Sequence, residues 1–216
     1  MKQLFTFLLL GSLALAGFSQ NTKGPVDLPS VRIGKQQWAI QNLNVTTYQN
    51  GDPIQEAKTE EEWKKCAAEK KGCYCSNAND ATNAQTYGYL YNWYAFMDPR
   101  GIVPNGWHVP TVAEWEELIH IAGNEKIAGA AIRNDKGWPA ESVGDRSNTM
   151  RFSSLPGGGR YVTGAFSGIG KAAIWWSSTE VNEKIGNSFG NKYTSQKLVK
   201  DNAQKGAGLS IRCIHN

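Results

Sequence analysis

Four cysteines and three histidines carry the reactive side chains of this sequence: Cys66, Cys73, Cys75 and Cys213, with His108, His120 and His215. A thiolate can be a nucleophile, a metal ligand or half of a disulfide, and an imidazole can move protons near neutral pH. Cys73-Tyr74-Cys75 is a C-x-C pair, not the C-x-x-C of a thiol redox loop, and no combination of these residues has the spacing of a closed zinc site. A structural disulfide or buried thiols is therefore the reading for all four cysteines. His108 could act as an acid or base with Glu114, Glu116 or Glu117. Glu114, however, stands three residues after Thr111 as the partner in a helix capping box, and the other two read as exposed helix positions. A buried histidine whose ring nitrogens tie loops together is the favoured reading, and no nucleophile with a positioned base emerges.

Two further motifs invite chemistry and fail on spacing. Gly164 to Lys171 has the glycines of a phosphate loop, but Ala165 occupies the required glycine position and Ala172 follows Lys171 where Ser or Thr is needed. Asn77, Asn79, Asp80 and Asn83 crowd one loop, yet a single carboxylate cannot supply a calcium cage, so the loop is expected to hydrogen-bond within itself. No cofactor or metal is indicated.

The elements that position these residues lie between an N-terminal leader and the C-terminal end. Lys2, the apolar run from Leu4 to Leu15 and the small residues Ala14 and Ala16 have the layout of a secretory signal over residues 1–20, with cleavage after Ala16 or Gln20. The expected location is thus exported: periplasmic, extracellular or attached to the outer surface. No later run approaches the about 20 apolar residues of a membrane span. Export would place the cysteines in an oxidising compartment, where disulfides form. The excess of 23 lysines and arginines over 19 acids gives +4, too little and too dispersed for a nucleic-acid surface.

After an extended lead over residues 21–30, Val31 to Ile40 reads as a hairpin turning at Gly34-Lys35, and Asn50-Gly51-Asp52-Pro53 as a turn. Thr59 and Glu62 form one capping box, opening a helix through Lys71 that buries Trp63 and Cys66; Thr111 and Glu114 form another, opening a helix to Ala122. Glu125 to Ile132 can form a short helix, weakened by Gly129. From Lys136 onward, glycine-separated short strands and long loops follow, with Arg160 and Tyr161 projecting from one of them. Leu209, Ile211 and Cys213 alternate as the inward positions of a half-buried final strand. With 23 glycines and 8 tryptophans spread along it, the chain reads as one α+β domain rather than a helical bundle.

The order NLNVTTYQNGDPI, YGYLYNWYA, GWHVPTVAEWEELI, SSLPGGGRYVTGAFSGIG, WWSSTE and GLSIRCIHN resembles the Fibrobacter succinogenes major paralogous domain over residues 31–216. That family is similar to C-type-lectin-like domains and to the fold of formylglycine-generating enzymes. The resemblance implies a C-type-lectin-like α+β domain with two principal helices, a small mostly antiparallel sheet and a long irregular glycine-rich loop region. It implies a disulfide involving Cys213, but Ile102-Val103-Pro104 stands where the family commonly places the partner cysteine; Cys66, Cys73 or Cys75 could substitute, and the pairing stays open. The paired thiols of the enzyme fold cannot be mapped onto this chain, so its activity does not carry over.

Sugar recognition is the function most compatible with the related fold. Tyr161, Trp176, Glu180, Asn182 and Tyr193 are the ligand-binding candidates, with Trp175 and Asn187 beside them and Asn77, Asn79 and Asp80 on a second loop. The calcium-dependent lectin tripeptides are absent. Adjacent Trp175 and Trp176 on a strand would point to opposite faces, leaving one exposed. The expectation is a non-catalytic binding or adhesion module for a glycan or a cell-surface protein. Its alternatives are a structural surface protein without a dedicated pocket and an enzyme using His108 with a nearby carboxylate. The sequence leaves the oligomeric state open.

Overall fold

The computed structural model describes residues 28–144 and 146–216; the secretory signal and most of the extended lead lie outside these residues. In chain order the elements are β1 (Ser30–Ile33), β2 (Gln36–Asn42), β3 (Gln55–Glu56), α1 (Glu60–Ala68), β4 (Cys73–Cys75), α2 (Ala81–Tyr87), β5 (Leu90–Tyr91), α3 (Trp93–Phe96) and β6 (Trp107–His108). They continue with α4 (Val112–Ile121), α5 (Glu125–Ala131), β7 (Gly157–Arg160), β8 (Phe166–Ile169), β9 (Ala172–Glu180), β10 (Ile185–Lys192), β11 (Val199–Gln204) and β12 (Arg212–His215).

Both capping boxes form. Thr59 Oγ1 accepts from the Glu62 N–H while Glu62 accepts from the Thr59 N–H, and Thr111 and Glu114 repeat the exchange. The first helix stops at Ala68, short of Lys71, and buries Trp63 and Cys66. The N-terminal hairpin turns at Gly34, and β12 inserts between β2 and β6 to give the order β1-β2-β12-β6, so the two ends of the domain close one sheet.

The lectin-like architecture of two principal helices and one small sheet is not what forms. Among the described residues there are five α-helices and three sheets, the largest with the order β11-β10-β9-β7-β8. Parallel pairings of β3 with β4 and of β7 with β9 make the arrangement mixed. The main difference lies in the glycine-rich stretch, where Gly157 to Arg160 is a buried strand and not an irregular loop. Glycine permits this pairing: Gly158 sits at φ +64°, and a Cβ there would lie 2.4 Å from the Ser167 carbonyl oxygen, closer than any side chain tolerates.

Two aromatic cores flank β9. Trp175 and Trp176 do point to opposite faces, as the strand period requires, but both faces are covered and neither ring is exposed. Trp175 joins Trp38, Trp115, Phe152 and Phe189, with Trp115 stacked on Phe189 at 5.2 Å between centroids. Trp176 joins Trp93, Tyr91 and Ile211, meeting Trp93 edge to face at 5.4 Å. Trp63 and three cysteines form a smaller third cluster.

Three arginines are also interior. Arg160 does not project from a loop: it is 2% exposed, donates to the carbonyls of Ala57, Thr59 and Gly164, and lies over the rings of Trp63 and Phe166. Arg133 donates to the carbonyls of Val143, Lys192 and Ser195. Arg212 is buried beside Ile211 and Cys213, so the last strand hides both of its faces instead of alternating.

Gly129 shows how packing overrides helix propensity. In an isolated helix, alanine would be favoured over glycine by about 1 kcal/mol, but a Cβ at position 129 would lie 2.1 Å from the Lys197 carbonyl oxygen. Gly129→Ala is expected to lower stability by about 1–3 kcal/mol, read as a fall in the urea midpoint, although helix propensity alone predicts a rise.

Candidate functional site

The five ligand-binding candidates do not converge. Trp176 is core, and its indole N–H donates to the Tyr91 carbonyl at 2.8 Å. Glu180, at the end of β9, accepts from Lys205 Nζ at 2.7 Å. Asn182 accepts from the backbone N–H groups of Lys184 and Ile185 and shapes the turn into β10. Tyr161 and Tyr193 do come together, lining one cleft of about 500 Å³ whose floor includes Ala172, Ile174 and Leu209. Tyr161 is 60% exposed and Tyr193 half-buried. Asn187 is buried and donates to the Thr179 carbonyl.

The asparagine loop is consumed internally. Asn77 donates to the Gly157 carbonyl, Asn79 to that of Lys58, and Asp80 accepts from the Thr82 N–H to cap α2. Among the described residues no group of cysteines, histidines and acids is arranged to hold a metal ion, and no helix is long and apolar enough to cross a membrane.

The expected disulfide is absent: Cys66, Cys73, Cys75 and Cys213 are all free and buried. The closest cysteine pair is 3.6 Å apart, against the about 2.05 Å of a sulfur–sulfur bond. The physical reason for the missing Cys213 bridge is placement. Cys213 packs in the Trp176 core while the other three share the Trp63 cluster. Burial pushes the Cys75 thiol up to about 11 and the Cys213 thiol to about 12, so both stay protonated and unreactive at neutral pH.

His108 stands at the start of a linked set of contacts. Its Nε2 lies 2.7 Å from Glu114 Oε1, and its Nδ1 lies 2.7 Å from Asn216 Oδ1. The other oxygen of Glu114 accepts from the N–H and the hydroxyl of Thr111, at 2.7 and 2.8 Å. The ring is about a third exposed rather than buried, with side-chain exposures of 35% for His108 and 27% for Glu114. Burial acts to raise the Glu114 pKa, but the hydrogen bonds from Thr111 and the contact with His108 outweigh it, and the carboxyl is held below its ordinary value of 4.5.

A second cavity, of about 290 Å³, opens between β2 and α2 and is bounded by Asn134, Ser153 and Leu155 from the loop side. Arg212 lies at its inner wall. Sequence reasoning missed this site. Its signal was an arginine set between Ile211 and Cys213 in an apolar strand, where a charge has no reason to sit unless something neutral or anionic receives it.

With the geometry in place, the family follows. The model of the Fibrobacter succinogenes major domain matches residues 31–215, and the chain belongs to that family. No curated protein and no solved structure matches it. The further likeness to C-type-lectin-like and formylglycine-generating folds finds no support in these comparisons.

The Glu114 contacts carry a pH signature. A carboxyl with a depressed folded-state pKa contributes stability that is fully present above its unfolded value, near pH 4.5, and is lost as the pH falls through the lower folded value. Partial exposure screens the effect, so Glu114→Gln should cost about 1 kcal/mol at pH 7. Urea midpoints of the two proteins should converge as the pH is lowered below 4.5.

Proposed function

We propose that this is an exported, non-catalytic surface domain whose primary role is structural, presenting a rigid scaffold outside the cytoplasm. The observation that carries the reading is the engagement of His108 and Glu114. A general acid–base pair needs a ring nitrogen or carboxylate oxygen directed at a reacting group. Here both ring nitrogens and both carboxylate oxygens meet protein partners, which join the start of α4 to Asn216 at the C-terminal end. The pair lines neither of the two cavities described above. Burial of Trp175 and Trp176 supports the same reading, since these two rings, offered as ligand platforms by their sequence, serve as core.

A second reading rests on the cleft shared by Tyr161 and Tyr193, in which an apolar floor is rimmed by Lys171, Thr194 and Asn202. Such a surface fits a glycan or an extracellular protein segment.

One pair of measurements separates these readings. His108→Ala should lower stability by about 1–2 kcal/mol, a fall of roughly 2–8 °C in melting temperature, and Tyr161→Ala should leave it within about 0.5 kcal/mol. Unchanged stability of His108→Ala would remove the structural role of the pair and favour the enzyme. Binding of the native protein on a glycan array, lost in Tyr161→Ala, would give the cleft the primary role instead.

A further inference from the structure

The cavity at Arg212 differs in kind from the cleft of Tyr161 and Tyr193. Its walls comprise Gln41, Asn44, Gln85 and Thr86 at the mouth, with Asn42, Asn134 and Ser153 deeper, and Arg212 is its one charged lining residue. Arg212 is 1% exposed. Its Nε donates to Asn42 Oδ1 at 2.9 Å, and its Nη1 donates to the carbonyls of Ala39 and Phe152 at 3.0 and 2.6 Å. Among the described residues Nη2 makes no hydrogen bond within the protein, and no carboxylate forms an ion pair with the guanidinium.

A buried cation with two unspent N–H donors at the wall of an otherwise neutral cavity has one strong complement, a small anion that can accept a charge-assisted hydrogen bond. Burial lowers the Arg212 pKa to about 9, which still leaves the group charged at neutral pH. The position of the guanidinium is fixed by its three other bonds and by the Phe152 ring, 4.4 Å beneath it, so a ligand would meet a pre-organised donor.

The rim narrows the class. Gln41, Asn44 and Gln85 are exposed side chains whose amides both donate and accept, which suits hydroxyl groups more than a second charge. A volume of about 290 Å³ stands at the lower end of ligand clefts, roughly 300–1,000 Å³, and suits one sugar residue rather than a chain. We propose that this cavity binds a monosaccharide-sized sugar acid, its carboxylate on Arg212 and its hydroxyls on the amides of Gln41, Asn44 and Gln85. The proposal goes beyond the scaffold reading and does not depend on it.

The test is an NMR titration of the intact domain with D-glucuronate, with D-glucose and acetate in parallel. Saturable shifts are expected from residues 41–44, 84–88, 134 and 153 and from the Arg212 Nε–H, with glucose and acetate each at least about tenfold weaker, or about 1.4 kcal/mol. Gln85→Glu places a like charge at the exposed rim and should weaken glucuronate about tenfold while leaving the melting temperature in place. No saturable shift with glucuronate, or equal affinity for glucose, would overturn the proposal. So would acetate binding as tightly as glucuronate, or an unaltered affinity in Gln85→Glu.

Discussion

The fold depends on buried guanidinium groups whose partners are mainly backbone carbonyls. Arg133, Arg160 and Arg212 are each no more than 2% exposed. A buried charge is costly unless its donors are filled. Here most of them are filled by carbonyl oxygens of segments distant in sequence, with Arg133 Nε and Arg212 Nη2 left over. Arg160 gathers the chain entering α1 and the turn at Gly164, while Arg133 holds residues 143, 192 and 195 together. Arg212 ties the last strand to Ala39 and Phe152. Arg160 is thus a donor to the Ala57 and Gly164 carbonyls and adds a second donor to that of Thr59, which already accepts from the Trp63 N–H.

These contacts do in this domain what a disulfide does in many exported proteins, linking segments far apart in sequence. Arg160 reaches across 103 positions to Ala57, and Arg212 across 173 to Ala39. Aromatic faces complete the environment, since each guanidinium also lies over a ring, Trp138 for Arg133, Trp63 and Phe166 for Arg160, and Phe152 for Arg212. Cation–π attraction strengthens where water is excluded. The abundance of tryptophan and arginine at the same sites thus follows from one requirement, to bury irregular backbone without leaving its polar groups unpaired.

Local signals were legible in the sequence and long-range ones were not. The capping boxes at Thr59 and Thr111 and the turn at Gly34 are fixed by contacts within a few residues, and all three form. The opposed directions of Trp175 and Trp176 also followed from strand period, but their shared burial depends on elements distant in sequence. The glycine run at residues 157–159 read as loop because its pairing with β8 and β9 relies on the absence of side chains, which propensity counts as a weakness. Arg160 and Arg212 were misplaced for a related reason: hydrophobic patterning assigns charges to the surface and does not see carbonyls brought from elsewhere. Of the candidate site, Tyr161 and Tyr193 were named singly among five candidates with nothing to say that they share a cleft, and the Arg212 cavity was hidden inside a strand that looked merely apolar.

Chemical denaturation of Arg160→Met tests the central claim most directly, since methionine keeps the apolar stem and removes only the donors. The account predicts a loss of about 2–5 kcal/mol, about 1–3 for each buried acceptor left unsatisfied, because the carbonyls of Ala57 and Gly164 would be left without a donor while that of Thr59 keeps the Trp63 N–H. A stability within about 1 kcal/mol of the native protein, or above it, would contradict the account and leave aromatic packing as the sole organiser of the fold.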